Sequence, residues 1–191
     1  SDNFLSDIII HSFYATKIIT CGHGGLVWSK NKNYINFCKD FINFDLRKNY
    51  KTRFNFLISD FQVSLLFDQL KNIEKIRKFR NNIFLKYKKS ANKNVKIFSP
   101  YNLTTDIVYR SVLMFNTISE KLSFKRKLLK NNIETIIPVE NFELLHNYKK
   151  LNKKNFQVAE NISKKTLSLP LHLSLKKNEI NKICKLIKNF K

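Results

Sequence analysis

The sequence predicts a mixed α/β fold, and its hydrophobic pattern carries this prediction. Short runs of β-branched and other apolar residues, typical of strands, alternate with longer segments in which apolar residues recur every three or four positions, as in an amphipathic helix. The chain has 191 residues, of which 43% are hydrophobic and 13% aromatic. This content suffices for a buried core in one domain or two small ones, and it argues against intrinsic disorder.

Two short strands are predicted near the start of the chain. Residues 7–13 are predicted to form a buried strand and residues 25–29 a second one, because both runs are short and mostly apolar. Residues 34–42 then show the i, i+3, i+4, i+7 pattern of a helix of about three turns. Residues 44–58 are polar and irregular, and no element is predicted there.

The clearest helix begins after Ser59. Ser59 and Gln62 have the spacing of a capping box, in which each residue bonds to the backbone N–H of the other. An apolar stripe then continues to about residue 89, through Leu66, Leu70, Ile73, Ile76, Phe79, Ile83 and Tyr87. A single helix of about 30 residues would be roughly 45 Å long. We therefore expect it to connect two structural units, with a boundary near residue 58.

The rest of the chain keeps the mixed pattern. Strands are predicted at residues 95–98 and 107–115, a short extended segment at 133–139, and a helix at 119–131 that opens with a serine cap. Ser174 is predicted to cap a terminal helix. The apolar stripe of that helix consists of Ile180, Ile183, Cys184, Ile187 and Phe190.

The positive charge of the chain is compatible with a nucleic-acid partner but does not require one. The 36 Lys and Arg residues exceed the 14 Asp and Glu residues by 22. Most of the basic residues are lysines scattered along the whole chain, whereas base readout and bidentate phosphate contacts favour arginine. A solvated basic surface explains this pattern better, and nucleic-acid binding stays as an alternative.

Other function classes are excluded by simple features. No run of 18 apolar residues is present, so we predict no membrane-spanning helix and no membrane partner. The three cysteines are too far apart for a metal knuckle, and their odd number does not suit a disulfide framework. We therefore predict no metal site and a reducing, cytoplasmic location.

One segment has residues suited to covalent chemistry. Ser12 ends the first predicted strand, Lys17 follows five residues later, and the turn Gly22-His23-Gly24-Gly25 comes next. A lysine, with an ordinary pKa of about 10.4, becomes a nucleophile for Schiff-base chemistry when burial or nearby cations lower that pKa. Glycines let the backbone approach a ligand closely. Spacing alone does not distinguish this site from a surface lysine beside a tight turn.

Three blocks of the sequence, in order, are similar to motifs of one family. Ser12–Lys17 with Gly22–Gly25 is the first, Asn55–Leu70 the second, and Leu167–His172 the third. They resemble the Ser-Phe-x-x-x-Lys and Gly-Glu-Gly-Gly motifs, the Asn-Tyr-Arg-Met-Ser-Glu-Ile-Gln segment and the Leu-Ser-Leu-Pro-Leu-His run of the DegT/DnrJ/StrS nucleotide-sugar aminotransferases. The resemblance covers the second half of that family's length.

The resemblance implies roles for individual residues. Lys17 would form a Schiff base with pyridoxal 5′-phosphate (PLP) and then move a proton during transamination. Ser12 would contact the cofactor phosphate, and Asn55 would reach the phosphate held by the neighbouring subunit of a homodimer. His146 would match a histidine near the sugar in some relatives, with an ordinary surface histidine as the alternative.

The resemblance also implies a fold and an activity. The fold is the C-terminal half of a fold-type I PLP-dependent transferase. Residues 1–58 would end the large PLP-binding domain, and residues 59–191 would form the connecting helix and the small domain. The activity is transfer of an amino group, with glutamate as the expected donor, to a nucleotide-linked keto-sugar in polysaccharide, lipopolysaccharide or surface-glycan biosynthesis.

The sequence departs from the family pattern at several points. His23 replaces a glutamate and Leu57 replaces an arginine. The carboxylate that pairs with the pyridinium nitrogen in the family belongs to the half that is not matched. We therefore expect a fragment that alone does not hold PLP productively. A non-catalytic remnant or regulatory relative of the family is the alternative.

Overall fold

The computed structural model describes residues 6–191, which form two compact units that divide after Ile73: residues 6–73 and Glu74–Lys191. The mixed α/β class predicted from the sequence is confirmed. The units divide at residue 73, whereas the sequence places the boundary near residue 58. The assignment of residues 1–58 and 59–191 to two domains stays a prediction, and the first five residues of the former lie outside the described part.

The first unit is built on a β-hairpin. Strand β1 (Ile9–Ser12) pairs antiparallel with β2 (Gly25–Trp28), so that Ile9 lies opposite Trp28 and Ser12 opposite Gly25. Both predicted strands are confirmed. The prediction that β1 is buried is wrong, since the side chain of Ile10 is 75% exposed. Two strands bury little surface by themselves, and on β2 the side chains of Leu26 and Val27 are 45% and 42% exposed.

Two helices complete the first unit. Helix α1 (Lys32–Ile42) confirms the predicted amphipathic segment, and its cap is Asn31, whose side chain accepts a hydrogen bond from the N–H of Asn33. The chain is irregular from residue 43 to residue 59, as predicted. Helix α2 (Asp60–Lys71) then begins at the predicted capping box, with Ser59 and Gln62 bonded to each other's backbone.

The predicted 30-residue helix is interrupted at Asn72. The backbone N–H of Asn72 lies 3.3 Å from the carbonyl oxygen of Asp68, and its side-chain amide donates to the same carbonyl at 3.0 Å. Asparagine competes in this way for backbone partners and ends helices. A second helix, α3 (Ile73–Ser90), follows at once. The apolar stripe runs across the break, so periodicity alone predicts one helix.

The second unit packs helices on a three-stranded antiparallel sheet of order β3-β4-β5. The strands are β3 (Val95–Ile97), β4 (Ser111–Phe115) and β5 (Thr166–Leu169). After α3 the helices are α4 (Ile118–Leu129), α5 (Leu145–Tyr148), α6 (Gln157–Lys165) and α7 (Lys177–Lys188), with short 3-10 turns at Asn141–Glu143 and Lys153–Phe156. The largest fully buried side chains of its core are Tyr87, Phe84, Phe124, Leu113, Leu128 and Leu167.

Several local predictions for this unit need correction. Strand β4 begins at Ser111 rather than at residue 107, and β5 was not predicted. The predicted segment 133–139 contributes a single bridge, from Ile136 to Ser168. Helix α7 begins after Lys176, not at Ser174. The carboxylate of Glu179 accepts the N–H of Lys176, so the cap forms two residues later than predicted.

Two buried polar side chains tie α3 to the rest of this unit. Arg80, 8% exposed, donates to the carbonyl oxygens of Val108, Leu171 and Tyr109 at 2.9, 2.7 and 2.7 Å. The hydroxyl of Tyr87 donates to the carbonyl oxygen of Pro170 at 3.1 Å. Each of these hydrogen bonds gives a donor to the backbone carbonyl of a residue that lies outside the β-strands. Among residues 6–191, no helix is both long and apolar enough to cross a membrane.

Candidate functional site

The connection between β1 and β2, which we call the lysine loop (residues 13–24), carries the predicted lysine. The hairpin bonding continues into this loop, since the N–H of Phe13 donates to Gly24 and the N–H of Ala15 donates to Gly22, both at 2.9 Å. A turn then forms in which the N–H of Lys17 donates to the carbonyl of Tyr14, also at 2.9 Å. Lys17 therefore lies at the outer end of the hairpin.

The structure places Ser12 and Lys17 on the same hairpin, and both side chains are exposed. The Oγ of Ser12 accepts the N–H of Tyr14 at 3.4 Å. A serine hydroxyl that accepts a bond keeps its own proton for donation. A primary amine and a hydroxyl donor on one exposed loop are the groups that the aldehyde and the phosphate of PLP require, so these residues fit the cofactor.

Two glycines of the lysine loop have backbone angles that other residues rarely adopt. Gly22 has φ of +88° and Gly24 has φ of +117°, both in the region that side chains disfavour. A Cβ on Gly24 would lie 2.8 Å from Cδ1 of Ile58. His23, which replaces the glutamate of the family motif, packs edge-on against Tyr14 with ring centres 5.5 Å apart. In this chain His23 is a packing residue of the turn.

Helix α2 holds the lysine loop through Gln69. The side-chain oxygen of Gln69 accepts the N–H of Thr20 at 3.0 Å, and its amide nitrogen donates to the carbonyl of Thr20 at 2.6 Å. Sequence reasoning gave Gln69 no role. Its place in the block Asn55–Leu70 was the only signal, because a contact across 49 residues leaves no local pattern.

Asn55 lies in the irregular segment before α2, in the same unit as Lys17. Its side chain is exposed and makes no hydrogen bond among the described residues. Its neighbours Phe54 and Phe56 stack in parallel with ring centres 5.2 Å apart. Leu57, which replaces the arginine of the family motif, is 56% exposed. The amide of Asn55 is thus available to a group outside this chain.

His146 belongs to the second unit, and the alternative of an ordinary surface histidine is wrong. Its side chain is 2% exposed, with Nε2 2.8 Å from Oε1 of Glu160. Its ring is parallel to that of Phe156, with centres 4.7 Å apart. Hydrogen bonds from Lys164 and His146 lower the pKa of the Glu160 carboxyl to about 2. A side chain so enclosed offers little surface to a sugar, and its predicted substrate contact stays a prediction.

A model of a known protein family matches almost the whole chain. The model of the DegT/DnrJ/EryC1/StrS aminotransferase family matches residues 4–188. No curated protein matches the chain in sequence. The match covers the hairpin with Ser12 and Lys17, the segment with Asn55, and the second unit up to residue 188.

Solved aminotransferase structures share the fold. The aminotransferase TlmJ from Streptoalloteichus hindustanus is 19% identical with a TM-score of 0.84, over 97% of this chain and 52% of that one. PseC from Helicobacter pylori, an aminotransferase involved in the biosynthesis of pseudoaminic acid, is 20% identical with a TM-score of 0.81, over 97% and 53%. The PMP form of Spr1654 from Streptococcus pneumoniae is 18% identical with a TM-score of 0.83, over 99% and 54%. The chain spans about half the length of the solved structures that it matches.

Proposed function

The chain belongs to the DegT/DnrJ/EryC1/StrS aminotransferase family, and on this basis we propose that it serves a PLP-dependent transamination of a nucleotide-linked keto-sugar. The proposed amino donor is glutamate, and the proposed setting is glycan biosynthesis in the cytoplasm. The observation that carries the proposal is the placement of Lys17 and Ser12 on one exposed hairpin within the region of the family match. The amine and the hydroxyl there are two of the groups that the cofactor needs, one for its aldehyde and one for its phosphate.

We assign the cofactor contacts to residues of the hairpin. Bound PLP would supply an electron sink for the amino-acid carbon. Nζ of Lys17 would hold the aldehyde carbon covalently and, once released as a neutral amine, would take and return a proton. The hydroxyl of Ser12 would donate to a phosphate oxygen. Residues 9–28 contain no Asp or Glu, so the carboxylate for the ring nitrogen comes from outside this hairpin.

Asn55 is the proposed contact to a second subunit. Asn55 is exposed and lies in the sequence between Phe54 and Phe56, whose rings stack on each other, and the ring centres of Phe41 and Phe54 are 5.1 Å apart. Phe56 is 64% exposed. Exposed aromatic surface of this kind is typical of an interface. We propose a homodimer in which Asn55 donates to the phosphate bound by the partner subunit.

Reductive trapping tests the role of Lys17. Because this chain alone is expected not to hold PLP productively, the test uses it within the full-length protein. That protein is incubated with PLP, reduced with borohydride and mapped by peptide mass spectrometry, with Lys17→Ala and the control Lys32→Ala on helix α1. We expect the pyridoxyl label to concentrate on Lys17, to be lost in Lys17→Ala and to persist in Lys32→Ala. A label spread evenly over the lysines would contradict the proposal.

Two further outcomes separate the alternatives. Labelling of Lys17 in the full-length protein without amino transfer from glutamate to any nucleotide-linked keto-sugar would favour a non-catalytic relative. Salt-sensitive binding of generic DNA without selective labelling would favour a basic nucleic-acid-binding protein.

A further inference from the structure

We propose that Gln69 is a positioning residue for Lys17, acting through the backbone of Thr20. This inference rests on the proposed function of Lys17. Gln69 lies on α2, and its side chain donates to or accepts from the backbone of Thr20 and Leu65. It would act by fixing the part of the lysine loop that immediately follows the lysine.

Both the oxygen and the nitrogen of the Gln69 side-chain amide make hydrogen bonds. Its oxygen accepts the N–H of Thr20 at 3.0 Å, and its nitrogen donates to the carbonyls of Thr20 at 2.6 Å and of Leu65 at 3.0 Å. The bond to Leu65, one turn back on the same helix, determines which end of the amide faces which partner. Gln69 therefore holds both backbone groups of one residue, as a paired strand would.

Thr20 is in turn hydrogen-bonded to residues at the base of the loop. Its hydroxyl donates to the carbonyl of Phe13 at 2.9 Å and accepts the N–H of Gly22 at 3.0 Å. The carbonyl of Phe13 also accepts the N–H of Cys21 at 3.1 Å. Thr20, the third residue after Lys17, thus belongs to a hydrogen-bonded network with Phe13, Cys21 and Gly22. Gln69 connects this network to α2.

The rest of the hairpin provides little rigidity of its own. A two-stranded sheet is marginally stable in water, and β1 is mostly exposed. Gln62 of α2 also reaches the loop, but its bond to the carbonyl of Cys21 is 3.5 Å long. A covalent catalyst must hold its reacting atom to within about 0.5 Å. Gln69 makes the shorter bonds to the loop, and it makes them three residues from Lys17.

The test compares Gln69→Ala with Gln69→Glu and with the control Asp68→Ala. Gln69→Glu keeps the acceptor for the N–H of Thr20 but loses the donor. Asp68 is exposed on the same helix, and its side chain makes no hydrogen bond within residues 6–191. Two readouts are used: amide hydrogen exchange of the peptide containing Thr20, and the fraction of borohydride-trapped pyridoxyl label on Lys17.

We expect Gln69→Ala to speed exchange at Thr20 about tenfold, the effect of losing one well-made hydrogen bond. The labelled fraction at Lys17 should fall at least about threefold in the same variant. Gln69→Glu should restore part of both signals, and Asp68→Ala should leave them at the wild-type level. If Gln69→Ala does not fold, Gln69→Glu decides the question, with the same directions expected.

The outcomes separate this proposal from the proposed function. Faster exchange at Thr20 with unchanged labelling of Lys17 would reduce Gln69 to a purely structural role and overturn the inference. Wild-type protein without selective labelling at Lys17 would reject the function itself, and this inference with it. Reduced labelling in Gln69→Ala, beside selective labelling in the wild type, supports both.

Discussion

Nε2 of His146 lies 2.8 Å from Oε1 of Glu160, in a pair that joins the short helix α5 to helix α6. The imidazole is 2% exposed and the carboxylate side chain 13%. Oε2 of the same carboxylate accepts the ammonium of Lys164 at 2.8 Å, and the side-chain amide of Asn147 donates to Oε1 at 3.3 Å. Every one of these contacts favours the ionised carboxylate.

The first prediction concerns the stability of this unit in acid. Hydrogen bonds from Lys164 and His146 lower the pKa of Glu160 from 4.5 to about 2. A folded-state pKa below the unfolded value gives stability that is present above about pH 4.5 and is lost as the pH falls toward 2. We expect Glu160→Gln to reduce the pH dependence of the free energy of unfolding in this window, as measured by urea denaturation.

The control for this prediction is Glu134→Gln. Glu134 is exposed, and no ion pair of its carboxylate is found within residues 6–191. The variant removes the same charge from a chain whose formal net charge is +22. If Glu134→Gln flattened the acid dependence as much as Glu160→Gln, general charge repulsion and not the buried pair would explain it.

The second prediction concerns Arg80. Its guanidinium donates to three backbone carbonyls, and burial lowers the pKa of this group. Arg80→Met fills similar volume but leaves all three carbonyls without that donor. We expect a loss of about 3 kcal/mol in the free energy of unfolding by urea denaturation. Arg126→Met, at an exposed position of α4, should cost less than about 0.5 kcal/mol. Equal losses in both variants would contradict a special role for Arg80.

Structural features that depend on residues close together in the sequence could be predicted from it. The capping box of Ser59 and Gln62 depends on residues three positions apart, and it forms as expected. Strands β1 and β2 and helix α1 follow from local apolar patterns in the same way. The pairing of these two strands into the hairpin that carries Ser12 and Lys17 is not part of that prediction.

Features that depend on distant partners could not be predicted. The Gln69–Thr20 contact joins residues 49 positions apart, and the burial of His146 depends on Phe156 and Glu160. All four residues of β5 are buried, so the strand lacks the alternation that identifies a half-exposed strand. Such environments exist only after the chain has folded.

The third prediction tests which residue caps α4. The sequence suggests Ser119, but the structure has Thr117, whose Oγ1 accepts the N–H of Glu120 at 3.1 Å while the Glu120 carboxylate accepts the N–H of Thr117 at 3.0 Å. Thr117→Ala removes one side of this reciprocal cap and should cost about 1 kcal/mol in the free energy of unfolding. Ser119→Ala, at an exposed position inside the helix, should change it by less than about 0.5 kcal/mol, because alanine is the better helix former. Urea denaturation of both variants measures the difference. A larger loss of unfolding free energy in Ser119→Ala than in Thr117→Ala would show that Ser119 caps the helix, as the sequence suggests.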